Sequence, residues 1–201
     1  MRYETQKIAY WYFVCAMALF AAQLLFGVLA GTVYVLLNFL SELVPFHIIR
    51  MIHTNALIVW LLLGFFGGTY YLLPEESARE IYSTRLAYIQ LVLFVGAAAA
   101  AVVGYLFRIH EGREFLEQPF LVKVAITVAV LIFLYNISLT VLTGRKTAVS
   151  SVLLLGLWGA GLFFLFAFYN PANLVVDKIY WWWVVHIWVE GVWELIMASI
   201  L

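Results

Sequence analysis

Six stretches of this chain are long and apolar enough to cross a bilayer, and the charges gather in the breaks between them. The spans lie near Ile8–Leu37, Phe46–Leu73, Arg85–Phe107, Phe120–Leu142, Ala148–Tyr169 and Lys178–Leu201. The breaks SELVP, LPEESARE, RIHEGREFLEQP, TGRKT and NPANLVVDK hold all four prolines and most of the charge. Hydrocarbon offers backbone N–H and C=O groups no partner, so segments of this length must become helices. The expected fold class is an all-α integral membrane protein with six transmembrane helices, a single membrane domain over residues 1–201.

Composition fits that frame. The chain is 66% hydrophobic and 11% charged, which leaves too little polar surface to face water. Eleven basic residues balance eleven acidic ones, so nothing points to nucleic acid. The single cysteine, Cys15, excludes a disulfide framework, and no CxxCH motif for attached haem is present. After MRYETQK the apolar run is too long for a signal-peptide core, so it is expected to stay as the first span. With the N-terminus inside, six basic residues fall inside and five outside, a small bias in the direction of the positive-inside rule. The loop Arg108–Pro119 then lies on the outer side.

The sixth span, KIYWWWVVHIWVEGVWELIMASIL, carries the most demanding chemistry. His186, Glu190 and Glu194 are spaced i, i+4 and i+8, close to one stripe of an α-helix, with rises of roughly 6 Å between neighbours. A carboxylate at membrane depth costs roughly 2.5–3.5 kcal/mol or more, so two on one stripe need compensation. A metal ion or a proton-carrying cavity supplies it, and a nitrogen donor one turn from an oxygen donor is half of a transition-metal site. The competing reading is structural: a histidine–carboxylate hydrogen bond between helices, with Glu194 an uncharged buried acid. The aromatic cluster Tyr180–Trp183 reads as an interfacial belt.

On the second span, RMIHTNALIVW places Arg50 one turn before His53. Imidazole is a common haem-iron ligand, and a guanidinium on the same face suits a propionate. An interhelical hydrogen bond explains a lone membrane histidine equally well. Thr54 and Asn55 read as interhelical hydrogen-bonding residues, and Gly64, Gly67 and Gly68 as close-packing positions. Arg113, Glu114 and Glu117 in GREFLEQP have the donors for a divalent cation or for propionates, but spacing alone favours a solvated loop. His47 and His110 read as ordinary solvated residues.

Four segments then carry a resemblance: RMIHTNALIVWLLLGFFGGTYYLLPEES, GREFLEQP, TGRKTA and FYNPANLVVDKIYWWWVVHIWVEGVWELIM. They closely resemble the catalytic large subunits of bacterial cytochrome c-dependent nitric oxide reductases, within the haem–copper oxidase superfamily, in register from the first span to the last. The resemblance implies the first half of a twelve-helix subunit with haem b, haem b3 and a non-haem iron. It makes His53 an axial ligand of the low-spin haem b, with Arg50 and Arg113 on the propionate side. It makes His186 and Glu190 ligands of the non-haem iron, Glu194 a second glutamate needed for activity and proton supply, and Glu114 a calcium ligand.

The implied reaction joins two NO with two electrons and two protons to give N2O and water. The implied partners are a haem-c-containing small subunit as electron donor, the missing C-terminal half, and the bacterial inner membrane. The other histidine ligands of such a subunit come from later spans, so the 201-residue chain alone is expected to be inactive. Three alternatives stand beside this reading: a catalytically silent truncated or split membrane module, a quinol-dependent relative, and an ion or proton conduit built on Glu190 and Glu194. Quinol-fed relatives carry a long N-terminal extension, whereas this sequence starts at its first span. A conduit does not explain the His53 segment.

Overall fold

The computed structural model describes residues 2–36 and 43–201. The helices are α1 (Glu4–Val35), α2 (Phe46–Ser77), α3 (Thr84–Leu106), α4 (Phe120–Thr143), α5 (Ala148–Phe166), α6 (Leu174–His186) and α7 (Glu194–Ile200). A π-helical segment, Ile187–Trp193, joins α6 to α7, so Leu174–Ile200 forms one continuous sixth span. Six helices among the described residues are long and apolar enough to cross a membrane. The expected end of the first span at Leu37, and Ser41 and Glu42 of the SELVP break, lie outside the described residues.

Helix ends follow local chemistry. Pro45 and Pro119 immediately precede α2 and α4, where a missing N–H is harmless. The Ser83 hydroxyl caps α3 through the Leu86 N–H at 3.2 Å, and Thr147 caps α5 in a capping box with Ser150. The Asn173 side chain accepts from the N–H groups of Val175 and Val176 at 2.9 and 3.1 Å, which starts the sixth span four residues before Lys178.

α2 is the hub, packing on α1, α3, α4, α5 and α7. Its apolar face meets Tyr12, Phe94 and Phe133 in a chain of edge-to-face and tilted rings. Small residues set the helix spacing. A Cβ at Gly67 would stand 3.0 Å from Phe13, and one at Gly68 would stand 3.2 Å from Ile200. Gly64 departs from the expected pattern, because nothing lies within 4 Å of its would-be Cβ. On the opposite side of the sixth span, Gly156 and Gly159 of α5 receive Ile196 and Val192.

The α2–α3 turn latches one end of the bundle. Glu80 accepts from the N–H groups of Glu4 and Thr5 at 2.6 and 3.1 Å and from the Thr5 hydroxyl. Burial raises the Glu80 carboxyl, but the bonds from Thr5 and Glu4 outweigh it and leave the group below its ordinary value. Arg145 donates to the Glu76 carbonyl at 3.0 Å, and the Glu76 carboxylate accepts from the Thr147 hydroxyl. The starts of α1 and α5 and the ends of α2 and α4 are thereby tied to one turn.

Candidate functional site

At the other end of the bundle the α3–α4 loop folds inward. Glu117 and Gln118 are buried, so the expectation of a solvated loop fails for them. Glu117 accepts from Arg50 at 3.4 Å and from Asn55 at 2.8 Å, and Asn55 accepts from Gln118. Burial pushes the Glu117 carboxyl up, and the Asn55 bond and the Arg50 charge oppose that shift. Arg50 also pairs with Glu114 at 3.1 Å. Asn55 therefore serves the loop, whereas the Thr54 hydroxyl only back-bonds to the Arg50 carbonyl of its own helix at 3.0 Å.

Arg113 clamps this loop to the sixth span. Its guanidinium donates to the carbonyls of Ala167 and Tyr169 at 3.1 and 2.9 Å, pairs with Asp177 and lies over the Trp181 ring. Phe115, two residues on, holds a positive φ of 67° and meets Trp182 edge-on. Part of the aromatic cluster thus does more than line an interface.

His53 faces α1. Its Nδ1 lies 2.8 Å from the Gln23 carbonyl oxygen, so Nδ1 carries the proton and Nε2 keeps the lone pair. Gly27 opposes the ring, and a Cβ there would sit 2.8 Å from Cε1. An imidazole with one nitrogen anchored to a carbonyl and the other free is the arrangement that metal-ligating histidines adopt.

In the sixth span, His186 Nδ1 lies 2.6 Å from the Trp182 carbonyl, which again protonates Nδ1 and frees Nε2. That Nε2 is 4.0 Å from Glu190 Oε1. Both residues border a cavity of about 300 Å3, walled by Leu57, Ile58 and Leu61 of α2, roofed by Phe115 and flanked by Trp182 and Trp188. Leu57 and Leu61 continue the His53 stripe of α2 at i+4 and i+8. The cavity therefore meets α2 one to two turns deeper than His53, not level with it.

The π-helical segment changes the register that a pure α-helix would give. It inserts between His186 and Glu194 and contains Glu190. Segments of this kind recur at functional sites. It lets Val192, Trp193 and Ile196 pack against α5 and α2 while His186, Glu190 and Glu194 all stay exposed. The His186 and Glu190 side chains are 54% and 68% exposed. Among the described residues, no third histidine, cysteine, aspartate or glutamate joins them in a metal-binding group.

Residues 7–201 match the family model of cytochrome c and quinol oxidase polypeptide I. The chain belongs to that family. It is also 52% identical, over its full length, to a nitric oxide reductase subunit of Stutzerimonas stutzeri, of which it covers 45%. The chain thus spans less than half the length of the relative it matches. With the six apolar helices, the family makes it a multi-pass membrane protein that carries the haem–copper oxidase fold in its first-half arrangement.

Sequence reasoning missed Gln23 and Gly27 behind His53, the burial of Glu117, and the cavity wall on α2. Gly27 and Gln23 sit in an unremarkable apolar run, and only their position opposite α2 gives them a role. Glu117 had a signal, since an isolated GREFLEQP in so apolar a chain holds more charge than a turn requires.

Proposed function

We propose that this chain is the N-terminal part of a nitric oxide reductase catalytic subunit, which reduces two NO to N2O and water. The observation that supports it best is the convergence of His186 Nε2 and Glu190 Oε1, 4.0 Å apart, on one cavity beside α2. A shared cation suits that pair, because nitrogen with carboxylate donors suits iron. The name of the 52% identical relative supports the same reading.

The donor set fits the groups the family uses. His53 would hold a low-spin haem b iron through Nε2, with the Gln23 carbonyl fixing its tautomer and orientation. His186 and Glu190 would hold the non-haem iron beside haem b3, with further ligands from protein outside these residues. The bound irons supply the electrons and the positive charge that favour joining two NO molecules.

The rest follows from the residues of this chain. The apolar wall of Leu57, Ile58 and Leu61 suits a small uncharged gas. Phe115, held by the Arg113 clamp, closes the cavity toward the loop. Glu190, at the cavity wall, tunes the cation with a negative charge, and Glu194, one turn further, is the next carboxylate for proton delivery. Arg50 and Arg113 sit at the loop end where propionates would lie, and Glu114 offers a carboxylate for calcium there, although Arg50 now engages it. Exposed carboxylates on a membrane span require cover other than lipid. The missing C-terminal half supplies that cover, and a haem-c-containing small subunit in the bacterial inner membrane supplies electrons.

The test is to purify the assembly containing this chain from its native membrane, then to measure metal content and gas turnover. Haem b, non-haem iron and N2O formed from NO are expected. Copper in place of non-haem iron, with oxygen reduced and NO untouched, would overturn the reading.

A further inference from the structure

His47 and His110 are separated by 63 positions in sequence, yet their rings lie 6.0 Å apart, centre to centre, inclined at 59°. His47 belongs to the first turn of α2, and His110 to the α3–α4 loop. Nothing in the metal chemistry of the deep cavity uses either residue. We propose that the two imidazoles form a separate binding site for a divalent first-row transition ion, Zn2+ or Cu2+, at the loop end of the bundle. This inference does not depend on the proposed function.

The geometry suits a shared metal. Imidazole nitrogens bind zinc at about 2.0–2.1 Å, which places two ring centres on one metal roughly 5–6.5 Å apart, depending on the angle at the metal. The observed separation of 6.0 Å falls inside that range. Borderline-soft imidazole selects zinc and copper over magnesium or calcium, which prefer oxygen. The remaining coordination positions are open to water, because His47 is exposed and His110 is half-buried.

The two ligands are also held in place before any ion arrives. Ile109 N–H donates to the Gly104 carbonyl at 2.8 Å, and Glu111 N–H donates to the Glu117 carbonyl at 2.8 Å, so bonds flank His110 on both sides. A Cβ at Gly104 would meet the Ile109 carbonyl at 3.0 Å and Pro119 at 3.1 Å, so the loop is packed onto the end of α3. His47 is anchored by the helix that also presents Arg50 to Glu114 of the same loop. The neighbouring Glu111 carboxylate is committed to Lys123, so the site rests on the two imidazoles. An ion there would staple the loop to α2 a second time, beside the Arg50–Glu114 and Arg50–Glu117 pairs.

The experiment is a Zn2+ titration of the purified full chain, carrying no histidine tag, by calorimetry. A Cu2+ sample is read in parallel by electron paramagnetic resonance. One ion per chain is expected at this site, with two coupled nitrogens in the copper spectrum. His47→Gln and His110→Gln should each weaken binding about tenfold or more and leave one coupled nitrogen. Removing an outer partner of a ligand already costs about 10–100-fold, and a direct ligand costs no less. His186→Gln should leave this affinity unchanged, which separates the site from the deep cavity. The proposal is overturned if no saturable binding occurs, or if both histidine variants bind as the parent does. Neither side chain is buried, so folding, checked by circular dichroism, is expected to be retained.

Discussion

Gly27 of α1 stands directly against the ring of His53 on α2: a Cβ there would lie 2.8 Å from Cε1 and 2.9 Å from Nδ1. The missing side chain is what lets the ring reach the Gln23 carbonyl. Gly27→Val should push the imidazole off that bond and cost about 1–3 kcal/mol through overpacking. Under the proposed function, the low-spin haem b band of the assembly that contains this chain should fall in the reduced-minus-oxidised spectrum, as it should in His53→Ala. A full band in both variants would remove His53 from the haem assignment.

Glu190 and His186 share one cavity, whereas His53 lies outside its lining. Under the proposed function, Glu190→Gln should therefore lower non-haem iron content and NO turnover while leaving the low-spin haem spectrum intact. Iron analysis together with optical spectra separates the two effects. Normal iron and normal turnover in this variant would contradict its role at the metal.

The contact of α5 with the sixth span depends on glycine. At Gly156 a Cβ would stand 2.9 Å from Ile196 Cγ1 and 3.3 Å from its backbone nitrogen, which cannot easily retreat. Gly156→Leu should destabilise the bundle by about 1–3 kcal/mol. Gly64→Ala is the control. Nothing lies within 4 Å of that position, and alanine gains up to about 1 kcal/mol of helix propensity over glycine. The apparent melting temperature in detergent should fall for the first and hold or rise for the second.

The Glu80 latch sets an acid limit. Its folded carboxyl lies below the ordinary value of 4.5, so the folded state favours the ionised form. That contribution is fully present above 4.5 and is lost as pH falls through the lowered folded value. Apparent melting temperatures followed downward from 4.5 should drop more steeply for the parent than for Glu80→Gln. Parallel curves would mean that the Thr5 and Glu4 bonds do not favour the charged form.

Much of the frame was legible in the residues alone: the membrane class, the six spans, and the two segments that carry His53 and the His186–Glu190 pair. Those follow from hydrocarbon, which forces any long apolar segment into a helix, and from the cost of placing a charge there. The spacing of four residues was enough to bring His186 and Glu190 together, because a local helical turn decides it.

Everything that depends on which helix faces which came from the packed bundle. Gly27 and Gln23 acquired roles only through α2, and Gly64 lost its expected one for want of a neighbour. The buried Glu117 and the His47–His110 pair arise because the α3–α4 loop turns back onto the start of α2. The π-helical segment sits where packing contacts gather: Trp193 on Phe65, Val192 on Gly159 and Ile196 on Gly156, with Glu190 at the cavity. Periodicity reports how a helix would turn alone, and contacts from distant parts of the chain set how this one turns in the bundle.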